Sequence, residues 1–171
     1  ILSRKSRTFT SPPTLQKNWP MANEAVQNFI QHLGKSADPQ AQTHIRFEKS
    51  MQQFIWSRLT EEIGIGYFRN GFFYLFGEPL TQLNPILEHW RFLLNEEVDY
   101  TIVGMNKMGF VILGEDLAAR GMASQISILD PFNVTFYRNP QIKLLNFIGR
   151  LLPDGLIPYL NDARMYDAYV G

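Results

Sequence analysis

A chain of 171 residues, 45% apolar and 13% aromatic, has the size and content of one compact globular unit, because a chain this long buries roughly 70% of the surface its unfolded form exposes. The absence of cysteine excludes thiol nucleophiles, thiolate metal sites and a disulfide framework, and no apolar run approaches the length that spans a bilayer. Sixteen basic and sixteen acidic side chains cancel overall but not locally: residues 1–60 carry eight basic against three acidic, residues 61–130 four against ten, and residues 131–171 four against three.

Residues 1–20 include Arg4, Lys5, Arg7 and Lys17 and no acid, a composition shared by transit peptides; a flexible basic arm is the expectation. Val26, Phe29, Ile30 and Leu33 recur at helical spacing and Gly34 follows them, which predicts an amphipathic helix over 21–33. After a polar connector with Asp38-Pro39, the spacing of Phe47, Met51, Phe54, Ile55, Leu59 and Ile63 predicts a second helix over 47–63 that ends at Gly64 and buries that stripe.

From Gly66 the period changes. Asn70-Gly71 between two aromatic runs predicts a β-hairpin, since both central residues of a type I′ turn need positive φ. Leu83, Leu87, Trp90 and Leu94 mark a further helix, with Asn84 as its cap and Pro85 in its first turn. Apolar runs over 100–105 and 110–113 form a second hairpin, and runs over 125–129 and 134–137 a third pair around Asp130-Pro131, with 116–124 as a loop. Asn139-Pro140 is expected to open a helix that runs to Leu152, with Pro153 as breaker and a terminal helix over 161–169. The fold class is α+β: an antiparallel sheet built from hairpins and flanked by N-terminal and C-terminal helices.

No phosphate-binding loop, nucleophile elbow or His-Glu-x-x-His motif is present. Gly64-Ile65-Gly66 precedes a strand rather than a helix and lacks a third glycine, so it is a turn and not a dinucleotide fingerprint. His32, His44 and His89 have no second ligand at metal spacing and are expected at the surface. Trp56 and Trp90 lie on helical apolar stripes, which assigns them to packing rather than base stacking. The expectation is accordingly no catalytic residue, no metal and no cofactor. The acidic middle holds Glu96, Glu97 and Asp99, and Glu115 and Asp116 follow at a strand end; adjacent carboxylates of this kind suit a solvated or partner-facing patch.

The order Phe29-Ile30-x-x-Leu33-Gly34, Phe54 to Trp56, Gly64-x-Gly66-Tyr67-x-x-Asn70-Gly71-Phe72-Phe73, Pro79 and Trp90 resembles the GAD-like domain. Met108-Gly109-Phe110-Val111-Ile112-Leu113, Ile128-Leu129-Asp130-Pro131 and Leu152-Pro153-Asp154 are similar to the DUF1851 module that follows it. The resemblance covers Met21 to the C-terminus and implies modules over 21–95 and 96–171 packed as one unit. It also implies a bacterial, cytosolic immunity protein that neutralises a type VI secretion nuclease toxin without chemistry of its own. A nuclease is basic where it holds phosphate, so an inhibitor gains rate and specificity from carboxylates. Glu96, Glu97, Asp99, Glu115 and Asp116 are the expected partner-binding residues; the partner is a cognate toxin, with no membrane and no nucleic acid. The alternatives are nucleic-acid binding through Arg4, Lys5, Arg7 and Lys17, which lack interleaved aromatics, and an enzyme whose site carries no recognisable motif.

Overall fold

The computed structural model describes residues 15–36, 38, 40–157 and 160, and of 15–22 the backbone alone. Helix α1 spans Leu15–Leu33 and α2 spans Ser50–Ile63. The first begins six residues before the predicted start and runs through Pro20, which removes one backbone donor without ending the helix. Part of the expected basic arm, residues 15–20, is therefore helical; residues 1–14 lie outside the described residues. Val26, Phe29 and Leu33 form its buried stripe, as their spacing requires.

In α2 the buried face is Trp56, Leu59 and Ile63. Met51 and Phe54, expected in the core, are exposed. At about 100° per residue Phe54 stands roughly 200° from Trp56, so only one of the two can face inward, and the larger indole takes that place.

Six strands follow: β1 Gly66–Phe68, β2 Phe73–Leu75, β3 Tyr100–Asn106, β4 Val111–Glu115, β5 Gln125–Asp130 and β6 Thr135–Lys143. They pair antiparallel in chain order as a single sheet. With flanking helices this is the α+β architecture expected from the sequence. β2 pairs with β3, so the sheet runs across the 95/96 boundary. In the first hairpin Asn70 (φ 54°) and Gly71 (φ 82°) occupy the two central positions, closed by Phe72 N–H on the Arg69 carbonyl at 3.1 Å. Residues 116–124, expected as a loop, hold a four-residue helix α4, Leu117–Arg120, and a 3₁₀ turn.

Both faces of the sheet are covered. On one, α1, α2 and the segment after β6 pack Phe29, Trp56, Phe68, Phe76, Ile112 and Phe147 into the main core. On the other, Leu80, Ile102, Val111, Leu113 and Leu129 lie beneath the chain between β2 and β3. That cover is a 3₁₀ turn, Glu78–Leu83, then a short helix α3, Asn84–His89, in which Leu83 and not Asn84 holds the N-cap position and no side chain caps it. Leu83, Leu87, Trp90 and Leu94 do pack on the sheet, but only part of their stripe is α-helical.

The largest departure from expectation concerns β6, which continues through Asn139 and Pro140 to Lys143 where a helix was expected. β6 is an edge strand, where proline's missing donor costs no ladder bond. Ser127 pairs with Arg138 and Gln125 with Lys143, so residues 139–142 bulge outward opposite Ile126. Helix α5, Leu144–Asn146, and a π turn, Phe147–Leu151, complete the core. The expected terminal helix over 161–169 lies outside the described residues.

The β5–β6 turn contains a strained residue. Buried Asp130 accepts from Phe132 N (2.9 Å), Asn133 N (3.1 Å) and Asn133 Nδ2 (2.7 Å), and this fixed turn forces exposed Val134 to φ 52°. A β-branched side chain is disfavoured there. Val134→Gly is expected to stabilise the protein by about 1 kcal/mol, the relief of strain exceeding the entropy that glycine adds to the unfolded chain. Urea unfolding of the variant checks it; an unchanged or lowered midpoint counts against the strain.

Candidate partner-binding surface

In an antiparallel sheet connected in chain order, successive connections alternate between two ends. The segments before β3 and after β4 therefore meet at the same end, and specific bonds lock them together. Asp116 N–H donates to the Asp99 carbonyl at 2.7 Å, and Asp99 N–H donates to Asp116 Oδ1 at 3.0 Å. Asp116 adopts a left-handed conformation (φ 49°), which turns its carboxylate back toward Asp99, and Arg120 Nη2 lies 3.2 Å from its Oδ2. Upstream, Asn95 Oδ1 accepts from Glu97 N–H at 3.0 Å, and Asn95 N–H donates to the Tyr100 hydroxyl at 3.3 Å. Glu96, Glu97 and Asp99 are exposed on this rim, and Asp116 is half-buried beside them.

Glu115 is the exception among the five expected partner-binding residues. It is only 1% exposed, so it does not belong to the surface. Alternation along β4 turns Glu115 to the same face as Val111 and Leu113, and turns Asp116 away. Its carboxylate accepts from Arg138 Nε at 3.0 and 3.1 Å and from Arg138 Nη2 at 2.6 Å, and from the Ser127 hydroxyl. The Arg138 side chain remains 46% exposed. Strand order makes this possible: Ser127 of β5 pairs with Leu113 on one side and with Arg138 on the other, so three strands contribute to one bidentate pair. Period-two alternation along β4 places Glu115 with Val111 and Leu113, whereas no sequence signal links it to Arg138.

Next to the pair, the Tyr100 ring makes an edge contact with Phe136, centroids 5.9 Å apart. Burial pushes the Tyr100 hydroxyl above its ordinary pKa of 10.0; the Asn95 hydrogen bond opposes this, Glu115 and Asp116 add to it, and Arg138 lowers it. Burial likewise raises Tyr74, helped by Tyr67 and Asp38. The unfolded chain then releases these two protons first as pH rises through 10, so the native state binds more protons and stability falls there. The phenolate absorbance titration of the native protein is expected to extend to higher pH than that of the urea-unfolded chain; coincident native and unfolded curves would contradict it.

A cavity of about 420 Å³ opens at the same end, lined by Glu88, Arg91, Asn95, Glu96, Asp99 and Tyr100 among others, with Arg91 paired to Glu88 at 2.7 Å. The carboxylates thus flank a concave site on a rigid sheet end, an arrangement suited to seating basic side chains.

The histidines divide. His32 Nδ1 lies 2.9 Å from the Asn28 carbonyl on α1, and His89 ends α3. His44, expected at the surface, is half-buried and donates from Nε2 to the Ile102 carbonyl at 2.7 Å; its Nδ1 is buried with no hydrogen-bond partner. Trp56 is fully buried, while Trp90 is half-buried beneath exposed Phe92, rings 5.8 Å apart. Among the described residues no group of three or more His, Asp or Glu side chains is placed to hold a metal ion. No helix among them is long and apolar enough to cross a membrane.

No protein-family model matches the chain, and neither a curated protein nor a solved structure matches it.

Proposed function

We propose that this chain is a non-catalytic bacterial protein that acts in the cytosol by binding a basic nuclease toxin of type VI secretion and covering its nucleic-acid-binding surface. The observation that carries the proposal is the locked acidic rim. Reciprocal bonds between Asp99 and Asp116 hold the backbone of two connections together, so Glu96, Glu97 and Asp99 leave the sheet at one end. Carboxylates gathered there present a negative field before contact, which raises the association rate toward a basic surface. The resemblance to GAD-like and DUF1851 proteins supports the same partner class. Of Arg4, Lys5, Arg7 and Lys17, on which nucleic-acid binding would depend, the first three lie outside the described residues and Lys17 stands on α1.

The triple substitution Glu96→Lys, Glu97→Lys, Asp99→Lys is expected to slow association with the toxin by about tenfold or more at low salt. All three side chains are exposed, so the circular dichroism and unfolding midpoint should stay close to wild type. Stopped-flow association at two salt concentrations tests this, because screening should shrink the difference. Equal rates for wild type and variant, or preferred binding of the wild type to DNA, would overturn the proposal.

A further inference from the structure

On the outer face of the sheet, away from the acidic rim, a second concave site crosses β1, β2 and β3. It encloses about 690 Å³, within the range of small-molecule and side-chain pockets. Tyr67, Tyr74 and Met105 follow one another across the three strands in register, and Leu80 and Leu83 of the 3₁₀ turn form the opposite wall. The Tyr67 and Tyr74 rings meet edge to face, centroids 4.8 Å apart. Tyr67 is 63% exposed, an unusual position for an aromatic ring beside an apolar hollow.

The charged groups are arranged asymmetrically. Asp38 lines the pocket at the tyrosine end: a Cβ placed on neighbouring Gly66 would stand 3.6 Å from Asp38 Cβ. One Asp38 oxygen accepts the Gln40 N–H at 3.0 Å, which orients the carboxylate. Lys107 lies at the far end, beside Gly71 and Gly109. Chain packing also serves the site, since a side chain at Gly77 would collide with the Tyr74 hydroxyl. Glycine at 77 thus leaves room for Tyr74 to lie where it does.

We propose that this pocket receives an arginine side chain of a protein partner, with the guanidinium between the Tyr67 ring and the Asp38 carboxylate and the aliphatic stem against Leu80, Leu83 and Met105. Tyrosine faces attract cations through the ring quadrupole, and partial removal from water strengthens the attraction. A planar guanidinium both stacks on an aromatic ring and pairs with a carboxylate, whereas an ammonium does only the latter well. The apolar walls suit a methylene stem. An anionic ligand would meet the Asp38 carboxylate, and a wholly apolar one would bury that carboxylate without compensation.

The test is a two-dimensional NMR titration of the full chain with N-acetyl-argininamide, beside N-acetyl-norleucinamide and N-acetyl-glutamine amide as neutral probes. Saturable shifts are expected at Tyr67, Tyr74, Gly77 and Leu80 with the arginine probe alone. Asp38→Asn and Tyr67→Ala should each weaken it by about threefold or more. Both residues are exposed, and an unchanged spectrum elsewhere reports that the fold is intact. Equal shifts with the norleucine probe, shifts away from the pocket, an affinity unchanged by both substitutions, or no shifts at all would overturn the assignment. The pocket and the acidic rim share no residue, so the Glu96, Glu97 and Asp99 substitutions leave this titration unaltered and each proposal stands or falls by itself.

Discussion

Replacing Trp56 with alanine is expected to cost about 3–5 kcal/mol, a large part of the roughly 5–15 kcal/mol that holds a typical domain together. Trp56 is fully buried where α2 meets the sheet. Its ring packs edge-on against Phe47 at 5.7 Å and Phe76 at 5.1 Å, and Phe76 in turn touches Phe68. The cavity left by alanine cannot collapse easily, because Phe76 sits at φ 66° with its N–H on the Val103 carbonyl at 2.8 Å. That backbone is fixed by the β2–β3 junction and has little freedom to move inward. The melting temperature should fall by about 6–20 °C. Trp56→Phe should cost much less, since the indole Nε1 has no hydrogen-bond partner to lose and a phenyl ring retains most of the edge contacts. Urea unfolding followed by circular dichroism distinguishes the two; similar losses for alanine and phenylalanine would contradict this account of the core.

The buried pair should respond asymmetrically. Arg138→Met leaves the Glu115 carboxylate without its bidentate partner in a site that is 1% exposed. Stranding a buried charge costs about 3–5 kcal/mol, and the low end applies here because Arg138 is half-exposed and water can approach the vacated position. Glu115→Gln is milder, about 1–2 kcal/mol, because the arginine can turn to solvent and the amide oxygen can still accept from Ser127. Arg138→Lys should fall between them, keeping the charge and losing the two-pronged geometry. Equal costs for both substitutions would contradict the pairing.

Local sequence signals carried most of the sheet. Asn70-Gly71 fixed the first hairpin because only residues that tolerate positive φ occupy its central positions, and the run pairs around 106–109 and 130–134 gave the next two. The meeting of two connections follows from the second hairpin: with 100–105 paired to 110–113, the chain before Tyr100 and the chain after Leu113 leave the sheet at the same end. What escaped was set by tertiary position. Pro140 signals a helix start in isolation, and only the edge location of β6 makes it acceptable in a strand. Phe54 shares the apolar spacing of α2, yet the direction in which the sheet lies selects Trp56. Glu115 looked like a surface acid because its partner, Arg138, is 23 residues away and reaches it across β5. The Tyr67–Tyr74 pocket is likewise invisible until β1 and β2 are in register and the 3₁₀ turn closes its wall.

If the acidic sheet end binds a basic nuclease as proposed, calorimetric titration of the chain with any nuclease toxin encoded beside its gene will show it. The expected result is one-to-one binding with a dissociation constant on the order of nanomolar, weakened severalfold or more by the Glu96, Glu97 and Asp99 charge reversals and by added salt, and accompanied by loss of DNA cleavage. An absence of binding, or affinity indifferent to those three carboxylates, would contradict it.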